Sequence, residues 1–338
     1  MERQAIISAL AAVGAVVGAG FASGREIDSF FSRYGAWSWL GVAAAAAVTG
    51  GIALGVMRRP GQGGMPEGWR GRWPGRLWQG MFGALLFFTG GAMLAGAGEI
   101  AALMLPLQGA YLLGLMGTAA LTVLLAWQGT VGAGRAGRVL VALLMTLAAA
   151  GLMLPARSAA LIGQAGSPWE SLLRGASYAG FNMALAAPGL AAASPSMTRR
   201  ARRQCALLLA AILGALLAGG NGLLLRHSAL RGEAMPFIHL MAAYGRAGYA
   251  LGGTAMYLAV LTTACASLRG LWTLGAGRRW RMMATAGMLL CAAVGFTGVV
   301  GKAYPLLGAG CLLLMTASIF QKNEKNESRA FNPDENMV

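Results

Sequence analysis

Val16-Val17-Gly18-Ala19-Gly20-Phe21-Ala22-Ser23-Gly24-Arg25-Glu26-Ile27-Asp28 lies near the start of the chain and interrupts an apolar run. The run approaches through Ala5 to Ala15 and resumes beyond the charges at Phe30 and Phe31. Gly18, Gly20 and Gly24 each weaken a helix by about 1 kcal/mol relative to alanine. A helix broken at membrane depth must have its freed main-chain groups satisfied by protein, water or ligand. A half-helix beginning near Gly24 would aim its positive end and free N–H groups into the protein, where they attract an anionic group such as a substrate carboxylate. Close helix packing through small residues is the other account of the glycines, since Gly14, Gly18, Gly20 and Gly24 include pairs four apart. Glu26 and Asp28 either complement the start of the second half-helix or meet a ligand directly.

The rest of the chain places this segment in a bilayer. Of 338 residues, 57% are hydrophobic and 11% are charged, against about 25% charged in an average soluble domain. A soluble protein of that composition would expose large apolar patches, and disorder requires low hydrophobicity. Apolar runs recur at roughly 4–33, 36–57, 77–105, 110–128, 137–154, 168–194, 204–225, 236–268, 281–299 and 302–320. At about 20 residues per span they predict an all-α integral membrane protein with about ten transmembrane helices. The 27 Lys and Arg against 11 Asp and Glu give a charge of +16. These bases are clustered between the runs, which signals topology rather than nucleic-acid binding. Arg58, Arg59, Arg70, Arg72 and Arg76, then Arg199, Arg200, Arg202 and Arg203, then Arg269, Arg278, Arg279 and Arg281 fall in alternate segments. The intervening segments hold Arg33, Arg157, Arg174, Arg226, Arg231 and Lys302. That alternation predicts a multi-pass membrane protein of ten spans with both termini cytoplasmic. Residues 1–320 form a single transmembrane domain, and the polar stretch 321–338 reads as a disordered cytoplasmic tail. Cys205, Cys265, Cys291 and Cys311 all lie in apolar segments, which argues against disulfides or zinc.

The sixth run repeats the features of the first. Ser177-Tyr178-Ala179-Gly180-Phe181-Asn182-Met183 leads into Ala187-Pro188-Gly189, a polar residue and a helix-breaking pair deep in apolar sequence. The expectation is a second interrupted helix opening a second half, with repeat one at about 4–156 and repeat two at about 168–320. Five spans per half give the halves opposite topology. Interrupted helices at matching places in inverted halves point to a secondary transporter with a site near the midplane.

Gly18-Ala19-Gly20-Phe21-Ala22-Ser23-Gly24-Arg25-Glu26-Ile27, with Phe30-Phe31 behind it, resembles the opening motif of the YkvI-like bacterial membrane proteins. The resemblance extends through Tyr178 to Asn182 and Thr262-Thr263. It implies membership of the amino acid–polyamine–organocation superfamily and the LeuT fold, a 5+5 inverted repeat with helices 1 and 6 broken. Carried over by motif, it implies a substrate site at Gly18, Ala19, Gly20 and Phe21 and at Tyr178, Phe181 and Asn182. It also implies a sodium ion between the carbonyls of Gly14 and Val17 and the hydroxyls of Thr262, Thr263 and Ser267.

Thr89 and the glycines at 90, 91, 96 and 98 on the third span either leave room for that ligand or pack tightly. Glu99 is an acid inside an apolar run, either an intramembrane proton or ion-pair site partnered by Arg246 or Arg25, or a solvated group near the outer interface. Glu26 is the other candidate for a proton or ion-pair role. No Walker loop, HExxH or GxSxG is present, so an enzyme is not expected. The expected function is alternating-access transport of a small amino acid-like or carboxylate-bearing solute, coupled to sodium or, as the alternative, to protons, and without an organic cofactor. The expected partners are a small-molecule substrate and the lipid bilayer, without nucleic acid, in a monomer or homodimer. The alternative is a non-transporting ligand sensor of the same fold, similar to germinant receptor subunits.

Overall fold

In a computed structural model, the described residues are 2–58, 69, 71–128 and 166–320. The first apolar run is divided. Helix α1 (Arg3–Val16) ends at Val17, and α2 (Ala19–Ser23) begins after Gly18. Gly24, at φ +80°, turns the chain into α3 (Arg25–Phe30). That left-handed conformation costs glycine nothing and strains other residues. A 3₁₀ segment Ser32–Trp37 leads to α4 (Ser38–Arg58), followed by α5 (Trp73–Met104) and α6 (Ala110–Gln128). The expected fifth span, 137–154, and the polar stretch 321–338 lie outside the described residues.

The second half opens with α7 (Pro168–Ala193), started by a reciprocal cap. The Glu170 N–H donates to the Ser167 hydroxyl, and the Ser167 N–H donates to the Glu170 carboxylate. Helix α8 (Arg199–Arg226) follows, capped by Thr198. The expected eighth span at 236–268 is resolved into two elements, a short α9 (Pro236–Met241) and α10 (Gly245–Thr273). Gly245 makes the corner between them at φ +76°. Helix α11 (Gly277–Ala292), a turn at Phe296–Gly298, a π-helical turn Val299–Ala303 and α12 (Tyr304–Phe320) complete the described chain.

Among the described residues, six helical stretches are long and apolar enough to cross a membrane. The protein is therefore an all-helical, multi-pass membrane protein. Helix α4 packs on α7 and α8, α5 on α10 and α6, α12 on α7, and α1 on α7 and α8. Glycines set the closest crossings. A Cβ on Gly175 would lie 2.0 Å from the Gly41 carbonyl oxygen, and one on Gly180 would lie 2.3 Å from that of Gly308. Small residues are what let helix backbones approach in lipid, where no hydrophobic force drives them together. The four cysteines are buried and free.

The expected break in the sixth span is not found. Helix α7 runs without interruption from Pro168 to Ala193, with Pro188 inside it. Proline removes one helical donor, and a membrane helix absorbs that loss when neighbours and side chains compensate. The Pro188-Gly189 pair is turned outward, with open space where a Gly189 Cβ would project. The inward face of α7 instead carries Ser177, Tyr178, Phe181 and Asn182, all buried.

Candidate functional site

Two bends frame the candidate site, one at Val17–Gly18 and one at Gly24. The Gly18 N–H donates to the Val16 carbonyl at 2.9 Å, so the Gly14 carbonyl loses the donor that a continuous helix would supply. Helix α10 meets this break through Thr263: a Cβ on Gly18 would lie 3.3 Å from the Thr263 Oγ1. Ser267, one turn further along α10, is buried on the same face. Thr263 and Ser267 are thus the hydroxyls of the expected sodium set that lie on the α10 face meeting the break. The Thr262 hydroxyl donates to the carbonyls of Leu258 and Ala259 on its own helix, at 2.9 and 3.0 Å. This back-bonding is common for hydroxyls in membrane helices.

Ala19, Gly20 and Phe21 form α2 and are buried. Gly20 has a specific neighbour: a Cβ there would stand 1.8 Å from Oε1 of Glu26. The Glu26 side chain therefore folds back across the Gly24 bend and covers the space that a glycine leaves free. Glu26 is 5% exposed, and no ion pair involves it among the described residues.

Around this carboxyl stand polar groups from three other helices. The hydroxyls of Tyr178 on α7 and Tyr304 on α12 lie within electrostatic reach of Glu26. Asn182 is one turn from Tyr178, with its Nδ2 donating to the Tyr178 carbonyl at 3.0 Å. Thr89 on α5 faces Tyr304. Tyr178 faces Asn182 as Tyr304 faces Thr89, but these side-chain contacts fall short of a well-formed hydrogen bond among the described residues, and Oε2 of Glu26 makes none either. Buried polar atoms are normally paired, and the gathering of these groups around one carboxyl sets this part of the interior apart. The rings hold it in shape. Tyr178 meets Phe30 and Phe31 edge-on at 5.2 and 5.1 Å, and Phe181 stacks on Tyr304 at 4.2 Å.

Tyr304 escaped the sequence reading because it stands just before Pro305, at what reads as the margin of the last span. The π-helical turn before it adds a residue per turn and so changes the face on which the next residue falls. The carbonyl of Pro305 accepts a hydrogen bond from Ser177 at 2.6 Å, which fixes α12 against α7 at this level.

Above the bends, Asp28 closes a latch. Its carboxylate lies 3.5 Å from Arg25 Nη1 and 3.4 Å from Arg231 Nε, and it accepts from the Gly232 N–H at 3.2 Å. Arg25 also donates to the Glu233 carbonyl at 3.3 Å. A Gly24 Cβ would come within 2.9 Å of the Phe237 ring. The segment from Arg231 to α9 is thereby held over α2 and α3, enclosing a cavity of about 30 Å³ lined by Phe21, Ala22, Gly220, Phe237 and Met256. Arg25 is therefore engaged by Asp28 and not by Glu99, and Arg246 is exposed. Glu99 is half-buried beside Tyr111 and forms no ion pair among the described residues. It stays apart from the Glu26 cluster. No group of three His, Cys, Asp or Glu side chains gathers among the described residues.

No family model matches the chain, and no curated protein matches it by sequence. In three dimensions it is similar to a manganese transporter of Eremococcus coleocola, solved with an aromatic bis-isothiourea substituted compound. The two share 14% identity and a TM-score of 0.50, over 94% of this chain and 76% of that one. At this identity the likeness is one of fold alone, that of a multi-pass helical membrane protein.

Proposed function

We propose that the chain is a secondary transporter that moves a small amino acid-like or carboxylate-bearing solute by alternating access. In this proposal it adopts a LeuT-like 5+5 inverted repeat, a member of the YkvI-like group in a bacterial cytoplasmic membrane with both termini inside. The packing supports a repeat of this kind. Helices α4 and α8 pack together, as do α5 and α10, while α6 lies on α5 as α11 lies on α10. The first two pairs join elements at matching places in the two halves, and the last two are equivalent contacts within each half. The observation that carries the proposal is the unwound Val17–Gly18 segment, which faces Thr263 and leads at once into Gly20, over which the buried Glu26 carboxyl lies. Irregular backbone at membrane depth is tolerated where it is enclosed by protein or lines a path.

Sodium is the coupling ion of this proposal, held by the Gly14 and Val17 carbonyls with Thr263 and Ser267. The solute sits between α2 and the Tyr178–Asn182 face of α7, with Thr89 and Phe181 as walls. A divalent cargo such as the neighbour's manganese is less well served, since hard divalent ions favour several carboxylates and Glu26 supplies one.

The test is uptake of a pool of radiolabelled proteinogenic amino acids into proteoliposomes, with and without an inward sodium gradient. Accumulation that needs the gradient supports the proposal. Thermal stabilisation by a member of the pool without any flux would replace it with the sensor.

A further inference from the structure

Glu26 is a buried carboxyl with no counter-charge beside it among the described residues. It is 5% exposed and lies over Gly20, among side chains contributed by α7, α12 and α5. The elements packed against α3 are α2, the 3₁₀ segment, α7, α8 and the π-helical turn. The titratable groups facing Glu26 from α7 and α12 are the phenols of Tyr178 and Tyr304, with Cys291 beyond Tyr304. On α3 itself, Arg25 and Asp28 are committed to the latch. Arg33 on the 3₁₀ segment is exposed over the Tyr34 ring, while Arg226 on α8 and Lys302 on the π-helical turn are also exposed. No cation among the described residues is placed to neutralise this carboxyl.

A carboxylate enclosed without a counter-charge is strongly disfavoured, so the site must acquire a positive charge when it closes. The packing favours the smallest one. Rings in contact at 4.2 to 5.2 Å fill the space beside the carboxyl. We infer that Glu26 is a proton-carrying group: it binds a proton when the bends at Val17–Gly18 and Gly24 close over it and releases that proton when they open to solvent. The proton rides on a Glu26 carboxyl oxygen, with the phenols of Tyr178 and Tyr304 facing the acid. Proton movement is thus linked to the same two hinges that would admit the solute. The inference rests on the transporter reading only for its coupling to flux. The proton site itself is a property of the folded protein.

Two measurements on the full chain test it. Infrared difference spectra of the purified protein, recorded between acidic and alkaline buffer, should contain the C=O stretch of a protonated carboxylic acid. That band should vanish in Glu26→Gln and persist in Glu26→Asp. In proteoliposomes holding a trapped pH-sensitive dye, the amino acid pool should drive proton entry in wild type and lose that effect in Glu26→Gln. Monodispersity and thermal unfolding establish that each variant is folded. If wild type moves no solute under any gradient but the band is lost in Glu26→Gln, the transporter reading falls and the proton site stands. If Glu26→Gln leaves the difference spectrum unchanged, or takes up the pool with undiminished proton entry, the proton assignment is overturned while transport survives.

Discussion

Removing the Asp28 carboxylate should loosen the segment after Arg231 by an amount the geometry sets. Breaking a fully buried ion pair costs about 3–5 kcal/mol, while an exposed pair is worth about 0–1 kcal/mol. The side chains of Asp28, Arg231 and Arg25 are 10%, 14% and 17% exposed, which places the latch toward the buried limit. Its N–O separations of 3.4 and 3.5 Å exceed the 2.7–2.9 Å of strong charge-assisted bonds, which reduces the value. A cost of about 2 kcal/mol for Asp28→Ala follows, mostly from Arg231 and the Gly232 N–H. Arg25 is three residues away on the same helix and contributes only about 0.2–0.5 kcal/mol as a local pair. Two kcal/mol corresponds to a roughly 30-fold change in an opening equilibrium. The Gly232 amide donates to Asp28, so it reports this opening directly. Hydrogen exchange at 231–241 should therefore quicken about 30-fold in Asp28→Ala, while the α4–α7 crossing keeps its protection. A thermal-unfolding cycle with Arg231→Ala, at one scan rate because membrane proteins often unfold irreversibly, should give a coupling of about 1–2 kcal/mol. Additive single variants with unchanged exchange at Gly232 would refute the latch.

The helix crossings give a second test. In Gly175→Ala the new Cβ meets the Gly41 carbonyl at 2.0 Å, a backbone contact that cannot rotate away, so destabilisation of about 3 kcal/mol is expected. Gly189→Ala, in the same helix with nothing within 4 Å, should instead stabilise by up to about 1 kcal/mol. Melting temperatures that move the same way in both variants would contradict the packing. The two threonines of α10 should separate as well. Thr263→Ala should raise the sodium concentration needed for half-maximal uptake, whereas Thr262→Ala should not, because the Thr262 hydroxyl is held by Leu258 and Ala259. Equal sodium dependence in the two variants would move the ion elsewhere.

The division of the first helix was legible because its cause is local. Glycines within a few residues weaken a helix wherever it lies, and the charges behind them show that the apolar run continues. The same reasoning failed for the sixth span. Pro188 and Gly189 announce a local cost, but sequence does not show which side of the helix bears it. Facing outward, the pair lets α7 continue with one donor fewer. Tyr304 was invisible for a related reason, since a π-helical turn leaves no compositional trace and alone decides where the next side chain points. The union of Asp28 with Arg231 depends on chain reversals hundreds of residues apart, beyond any periodic pattern.

These misses meet on α3. Glu26 and Asp28 stand two residues apart, and residues at that spacing do not share a helix face. Asp28 turns to Arg231 and Gly232, and Glu26 turns inward over Gly20 toward the tyrosines. The helix between them is six residues long and is bounded by non-helical geometry at Gly24 and Phe31. If so short a piece moves as one body, release of the latch exposes the Glu26 carboxyl, and a proton on Glu26 favours the arrangement in which Asp28 is paired. Loosening the latch should then ease proton exchange at Glu26, so Asp28→Ala should speed the response of the carboxylic-acid band to a pH jump. A band that responds at the wild-type rate in Asp28→Ala, while exchange at Gly232 is accelerated, would separate the two ends of α3 and remove the link.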